Sequence, residues 1–346
     1  MLRILHDTKY DFIRLRRYSY AISAAIILIG AILVAVGGYR YSVEFTGGTL
    51  TQLHFKQPPN VSDIRSALDG GGVPNAEVQQ FGDANTYVVR AQSRAAIAQQ
   101  QRGASSVDSL ITQAMTKRFG AGAYEVARSE AVGPKVGGEL RWKAFEAMLL
   151  SFVVVLIYLA IRFEWRFGVA AVAATAHDFL TTLAFIKFFN LEISLVVVGA
   201  ILTMIGYSLN DTIIIFDRVR ENLRKRRKES LYDTLNRSVN ETLPRSILTH
   251  ATVAATLIGL IALGGQVIRP FAWIMLFGVF TGTLSSIYIA APVLLWIETK
   301  WPRAVGDKGG VGPRARVAGP ETAPPGGSRG SKPKPATPVP ASARNR

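Results

Sequence analysis

The stretch Ile193-Ser194-Leu195-Val196-Val197-Val198-Gly199-Ala200-Ile201-Leu202-Thr203-Met204-Ile205-Gly206-Tyr207-Ser208-Leu209-Asn210-Asp211-Thr212-Ile213-Ile214-Ile215-Phe216 decides the architecture of this chain. It is almost wholly apolar and holds a single ionisable carboxylate, Asp211, before Asp217-Arg218 ends the run. At about 1.5 Å of rise per residue, a helix of this length crosses the roughly 30 Å hydrocarbon layer of a bilayer. Helical spacing puts Thr203, Tyr207 and Asp211 on one stripe with Ser208 alongside, and leaves Ile, Leu and Val on the other face. Such a stripe calls for protein or water in front of it, not lipid. Asp211 precedes Asp217 by six positions, which places it about 9 Å inside the boundary.

Outward from this stretch lie five more apolar blocks, at residues 18–36, 145–161, 168–189, 247–263 and 271–297. The first follows Arg14, Arg16 and Arg17 but is longer than a signal-peptide core and lacks a clean cleavage pattern, so it reads as a retained span. The chain therefore divides into a terminus (1–17), a first transmembrane helix (18–38), a polar domain (39–141), transmembrane helices two to six (142–298) and a tail (299–346). An ordinary soluble enzyme is excluded. The absence of cysteine removes disulfide frameworks, thiolate catalysis and Cys-ligated metal sites.

Charge sets the orientation. Of 40 Lys+Arg in the chain, many cluster between the fourth and fifth blocks: Arg218, Arg220, Arg224, Lys225, Arg226, Arg227, Lys228 and Arg237. Arg162 and Arg166 occupy the turn between the second and third. The third-to-fourth and fifth-to-sixth connections are poor in Lys/Arg. By the positive-inside rule both termini are expected in the cytoplasm and residues 39–141 outside it. The segment after residue 303 holds eight Lys/Arg, two Asp/Glu and eight of the sixteen prolines. That composition predicts a disordered tail drawn to anionic lipid head groups or ribosomal RNA, with no specific groove-reading nucleic-acid motif.

Residues 39–141 follow the grammar of a soluble domain. Strands are expected at 49–55, 77–81, 86–91 and 124–132, with helices at 62–68 and 106–118. The order βαββαβ predicts a ferredoxin-like split βαβ sandwich, and Gly133-Pro134-Lys135-Val136-Gly137-Gly138 reads as its hinge into the second span.

An ionisable group at mid-bilayer costs about 2.5–3.5 kcal/mol on insertion scales, so the polar residues inside the spans carry the functional argument. The third block holds His177-Asp178; with no second His/Asp set at ligating spacing, neither a metal nor another cofactor is expected. The fifth block opens Leu243-Pro244-Arg245-Ser246, with proline comfortable in a first helical turn, and goes on through Thr249 and His250. A terminal arginine by itself is an interfacial residue whose head group reaches water, and His250 reads as a packing residue with a backbone partner. Asp211 is different, because a carboxylate there must be protonated, paired or hydrated. Paired with Arg245 it forms a protonation-sensitive switch: the ionised acid holds the guanidinium and the protonated acid releases it. Asp211 and Arg245 are thus the candidate proton relay. His177, Asp178, Tyr207, Ser208, Asn210 and Thr249 are supporting polar residues.

These residues also carry a resemblance. Phe45-Thr46-Gly47-Gly48-Thr49, Val132-Gly133-Pro134-Lys135-Val136-Gly137, His177-Asp178, the run from Gly206 to Asn222 and Asn240-Glu241-Thr242-Leu243-Pro244-Arg245-Ser246 together resemble the SecF family of the bacterial Sec export machinery. That family lies within the resistance-nodulation-division (RND) superfamily. The resemblance covers residues 10 to 300, about the whole chain outside the tail. It implies an α-helical polytopic membrane protein, six transmembrane helices forming an RND-type half, with one extracytoplasmic α+β ferredoxin-like domain. It further implies pairing with SecD, association with the SecYEG translocon (YajC and YidC being further candidates) and contact with an unfolded preprotein. The proton-motive force would drive export across the inner membrane, with H+ as coupling ion; the residues leave Na+ open. The relay roles of Asp211 and Arg245 are carried over position by position, with a further acid from SecD. Glu44, where the family often has Asp, is expected to be structural. No catalytic residue is implied, so the chain is not expected to be an enzyme. Two rivals stand beside this reading: an RND-type exporter half for small molecules or lipids, and a non-transporting scaffold of the translocon.

Overall fold

A computed structural model describes residues 8–91, 107–226, 229–265 and 267–302. The final helix runs to Lys300, so the expected tail begins slightly later than residue 299; its residues 303–346 lie outside the described ones.

After a 3-10 turn at Ile13–Leu15, helix α1 (Arg16–Gly37) leads through β1 (Arg40–Tyr41) and the short α2 (Val43–Thr46) into the inserted domain. There follow β2 (Gly48–Phe55), α3 (Val61–Gly70), β3 (Glu77–Gln80), β4 (Thr86–Ala91), α4 (Val107–Phe119) and β5 (Tyr124–Val132). The four strands β2 to β5 form one antiparallel sheet in the order β3-β4-β2-β5, the split βαβ arrangement expected from the pattern. One face of β2 and β4 supplies Leu53, Phe55, Tyr87 and Val89, which pack with Ile64 and Leu68 of α3 and Ile111 and Met115 of α4. Alternation along the strands and an i, i+4 stripe on each helix account for that core. Asn60 caps α3 by accepting from the Ser62 N–H at 3.0 Å.

The membrane part continues with α5 (Pro134–Arg162), α6 (Trp165–Phe188), a two-residue strand β6 (Glu192–Ile193), α7 (Leu195–Lys225), α8 (Leu231–Leu263), α9 (Arg269–Ser285), a π-helical turn at Ser286–Ala290 and α10 (Ala291–Lys300). Among the described residues, six helical runs are long and apolar enough to cross a membrane: Ile13–Gly37, Lys135–Arg162, Trp165–Phe188, Leu195–Lys225, Leu231–Leu263 and Arg269–Lys300. The third, fourth and sixth bury 50–61% of their apolar window, the other three only 6–11%. The bundle thus has an interior trio and a peripheral trio whose Leu, Ile and Val face outward.

The interior trio is closely apposed. A Cβ added at Gly278 of α9 would collide with the Met204 side chain of α7. Gly278→Val therefore forces the two helices apart, an overpacking cost of about 1–3 kcal/mol. The expected result is a melting temperature in detergent several degrees below that of the unsubstituted chain, read by intrinsic fluorescence.

One element departs from expectation. Pro244 does not open the fifth span; it lies inside α8, which starts at Leu231. The segment before it is amphipathic and docks on the end of α7, Leu235 and Val239 packing with Val219 and Leu223. Asn222 donates to Ser238 Oγ at 3.0 Å, and Arg218 bonds Glu241 at 2.6 Å. Asn240 exchanges bonds with the backbone of Tyr10, N–H to Oδ1 at 3.0 Å and Nδ2 to O at 2.9 Å. This packing outweighs the backbone bond that proline removes.

Candidate functional site

Among the described residues, two carboxylates are buried inside the bundle, Asp178 and Asp211, both served by hydroxyls from neighbouring helices. Asp178 of α6 is fully buried. Its Oδ2 accepts from Ser285 Oγ at 2.6 Å and from Ser208 Oγ of α7, and its Oδ1 lies 2.9 Å from His177 Nδ1. His177 Nε2 lies in turn 2.8 Å from Ser23 Oγ of α1. An ionised carboxylate only accepts. In that state Nδ1 carries the hydrogen donated to Oδ1, and Nε2 meets the Ser23 hydroxyl. One residue pair thereby joins the first, third, fourth and sixth spans.

The π-helical turn explains why consecutive serines both serve this core. Neighbours on an α-helix diverge by about 100°, yet Ser285 reaches Asp178 while Ser286 Oγ lies 2.7 Å from Thr212 Oγ1. With the wider turn that begins at Ser286, one side chain serves Asp178 of α6 and the other Thr212 of α7; such turns recur at functional places in helices.

Asp211 lies one turn beyond Ser208 on α7, 4% exposed. Ser246 Oγ of α8 donates to its Oδ1 at 2.6 Å, while its Oδ2 is buried without a hydrogen-bond partner among the described residues. The expected Asp211–Arg245 ion pair is not formed in this structure. Arg245 is exposed on the outer side of α8, and no ion pair joins it to a described residue. The reason is again angular: with Ser246 turned inward, its neighbour at about 100° is turned out.

The other expected residues divide between inside and outside. Tyr207 is half-buried, its hydroxyl unpartnered among the described residues and its ring 5.5 Å from that of His250. His250 takes a side-chain partner and not the expected backbone one: Nδ1 lies 2.6 Å from Thr283 Oγ1 of α9. Asn210 is exposed; of the stripe read from the sequence, Thr203 is exposed while Asp211 and Ser208 are buried, so the stripe splits along its length. Thr249 is exposed and bonds back to the Arg245 carbonyl at 2.9 Å. Ser23, Ser246, Thr283 and Ser285 were not singled out by sequence; their only signal is a hydroxyl within an apolar run. Among the described residues no group of three or more His, Cys, Asp or Glu stands in a metal-ligating arrangement.

A family model described as "Protein export membrane protein SecD/SecF, C-terminal" matches residues 111–300. The chain belongs to the SecD/SecF family. It is 57% identical over 305 residues to a protein translocase subunit SecF of Gemmatimonas aurantiaca, covering 88% of this chain and 91% of that one. A SecF of Desulfurispirillum indicum is 41% identical over 293 residues, with 84% and 92% covered. Among solved structures it resembles the crystal structure of SecDF from Thermus, a translocon-associated membrane protein, with a TM-score of 0.73 and 32% identity. That likeness covers 86% of this chain but 40% of the SecDF chain; a second form of SecDF, the super-membrane-facing form, gives a TM-score of 0.62. The chain is thus a SecF-type translocase subunit, and it spans well under half of the SecDF chains it matches.

Proposed function

We propose that the chain is the SecF half of a SecDF complex that uses the proton-motive force to promote SecYEG-dependent export across the bacterial cytoplasmic membrane. Its inserted domain lies outside and both its termini inside. The observation that carries this reading is Asp211: a buried carboxylate in the fourth span with one oxygen held by Ser246 and the other without a partner among the described residues. That free oxygen is where a proton is taken up and given back.

The outer surface of the bundle supports SecD as partner. Arg245, Thr249, Thr252 and Thr256 follow one another along α8 on exposed positions. The threonine hydroxyls bond back into their own helix and tolerate lipid. The Arg245 guanidinium does not, and calls for a polar neighbour. A second six-span half against this face supplies one, in keeping with the longer SecDF chains.

The test is reconstitution of this chain with SecD and SecYEG in vesicles carrying an imposed proton gradient, with protease protection of a labelled preprotein as readout. Export is expected to rise with the gradient and to fall back when an uncoupler dissipates it. Equal export with and without the gradient would overturn the reading. Within the same assay, Arg245→Ala is expected to leave the melting temperature of the isolated chain unchanged, as for surface substitutions within about 0.5 kcal/mol. It should nevertheless lower gradient-driven export about tenfold or more.

A further inference from the structure

The inserted domain is held to the membrane part through the start of a helix to which it has no direct chain connection. Glu44 of α2 accepts the Leu195 N–H at 2.6 Å, and its carboxylate also takes the Ser42 hydroxyl at 3.2 Å. Leu195 is the first residue of α7, and the cap of that helix, Ser194, accepts from Val197 N–H at 3.3 Å. The helix start therefore has one acceptor of its own and one supplied from outside. A carboxylate is the favoured side chain there, because the unpaired N–H groups and the helix dipole both attract negative charge.

Other contacts converge on the same few residues. β1 pairs in parallel with β6, Arg40 opposite Glu192 and Tyr41 opposite Ile193. Ser42 N–H adds a bond to the Ile193 carbonyl at 2.9 Å. Arg90, in the middle of the domain's sheet, reaches Glu192 in a largely buried ion pair. Phe45 packs with Ala144 of α5 and Val198 of α7. The backbone of α2 also lies against α5, where a Cβ at Gly137 would be 2.9 Å from Gly47 N and 3.2 Å from Glu44 O. Pieces of β1, α2 and β4 thus close on residues 192–198, and Asp211 lies further along the same helix, about 24 Å away at 1.5 Å per residue.

We propose that Glu44 is the positioning residue of a joint, completed by Arg90 and Glu192, which ties the external domain to α7 so that a displacement of the Asp211 helix is delivered to that domain. The inference rests on the proton-driven reading above and adds the part that carries the motion. Glu44 does not touch the proton; it determines whether proton passage moves anything outside the membrane.

The experiment uses the reconstituted complex and measures export and proton flux on the same vesicles. Glu44→Ala is expected to lower gradient-driven export about five- to tenfold while proton flux stays at the unsubstituted level. Glu44→Gln, which keeps an acceptor without the charge, should fall between. Glu192→Arg should uncouple in the same way, and the exchange Arg90→Glu with Glu192→Arg should restore coupling. Export and flux falling together in the Glu44 variants would show a merely structural role and overturn the joint, as would normal export in all of them or failure of the exchange to rescue. A lack of gradient dependence in the unsubstituted complex would instead overturn the proton-driven reading, and the joint with it.

Discussion

Asp211→Asn is expected to leave the complex assembled and to reduce gradient-driven export to the level seen with no gradient, a loss of at least tenfold in the driven component. Asparagine matches aspartate in shape, and its carbonyl oxygen continues to accept the Ser246 hydroxyl at the place of Oδ1. What changes is the second position, where the unpartnered Oδ2 becomes an amide nitrogen that neither takes up nor releases a proton. Each charge moved through 100 mV is worth about 2.3 kcal/mol, enough to bias a two-state motion. A side chain that cannot load a proton passes none of that energy on. Co-purification with SecD checks assembly, and the vesicle assay checks export. Normal gradient-driven export by this variant would favour the scaffold reading.

Asp178→Ala is expected to act on folding instead. It leaves Ser208, Ser285 and His177 without the acceptor they share at the centre of the interior trio. Leaving one buried polar group unsatisfied costs about 1–3 kcal/mol, and here three groups lose their acceptor at once. The chain should melt ten degrees or more lower in detergent and accumulate poorly. Asp178→Asn keeps an oxygen acceptor, and serine hydroxyls can turn to accept from its amide, so it should lie between. Gel filtration of heated samples reads both. An alanine variant as stable as the parent would show that this network holds nothing together.

The large features were legible because their signals are long. A run of twenty apolar residues or a βαββαβ alternation averages over many side chains, and the expected strands agree with the observed ones within a residue or so. The departures come where a single residue or a distant contact decides. Nothing in Leu243-Pro244-Arg245-Ser246 says which of two neighbours faces Asp211; the docking of α8 on α7 does. The same docking carries the helix through Pro244. β1 and β6 are two residues each, too short for any periodicity, and exist only because the inserted domain meets the start of α7. Ser23 finds His177 154 positions away, and the serine pair at the π-helical turn has no local signature.

The hydrogen bond from Ser208 of α7 to Asp178 also sets a ratio of lengths. Ser208 is one of the points at which α7 is pinned to the interior, with Thr212 bonded to Ser286 a turn further on, and a slide of the whole helix along its length would tear both loose. A tilt about Ser208 would keep the first of them. Asp211 lies about 4.5 Å from the fulcrum and Leu195 about 20 Å on the other side, at 1.5 Å per residue. A tilt therefore sweeps the outer tip of the helix roughly four times as far as the acid. In the proton-driven reading proposed above, such a tilt would turn a small adjustment at a carboxyl group into a longer stroke at the membrane surface.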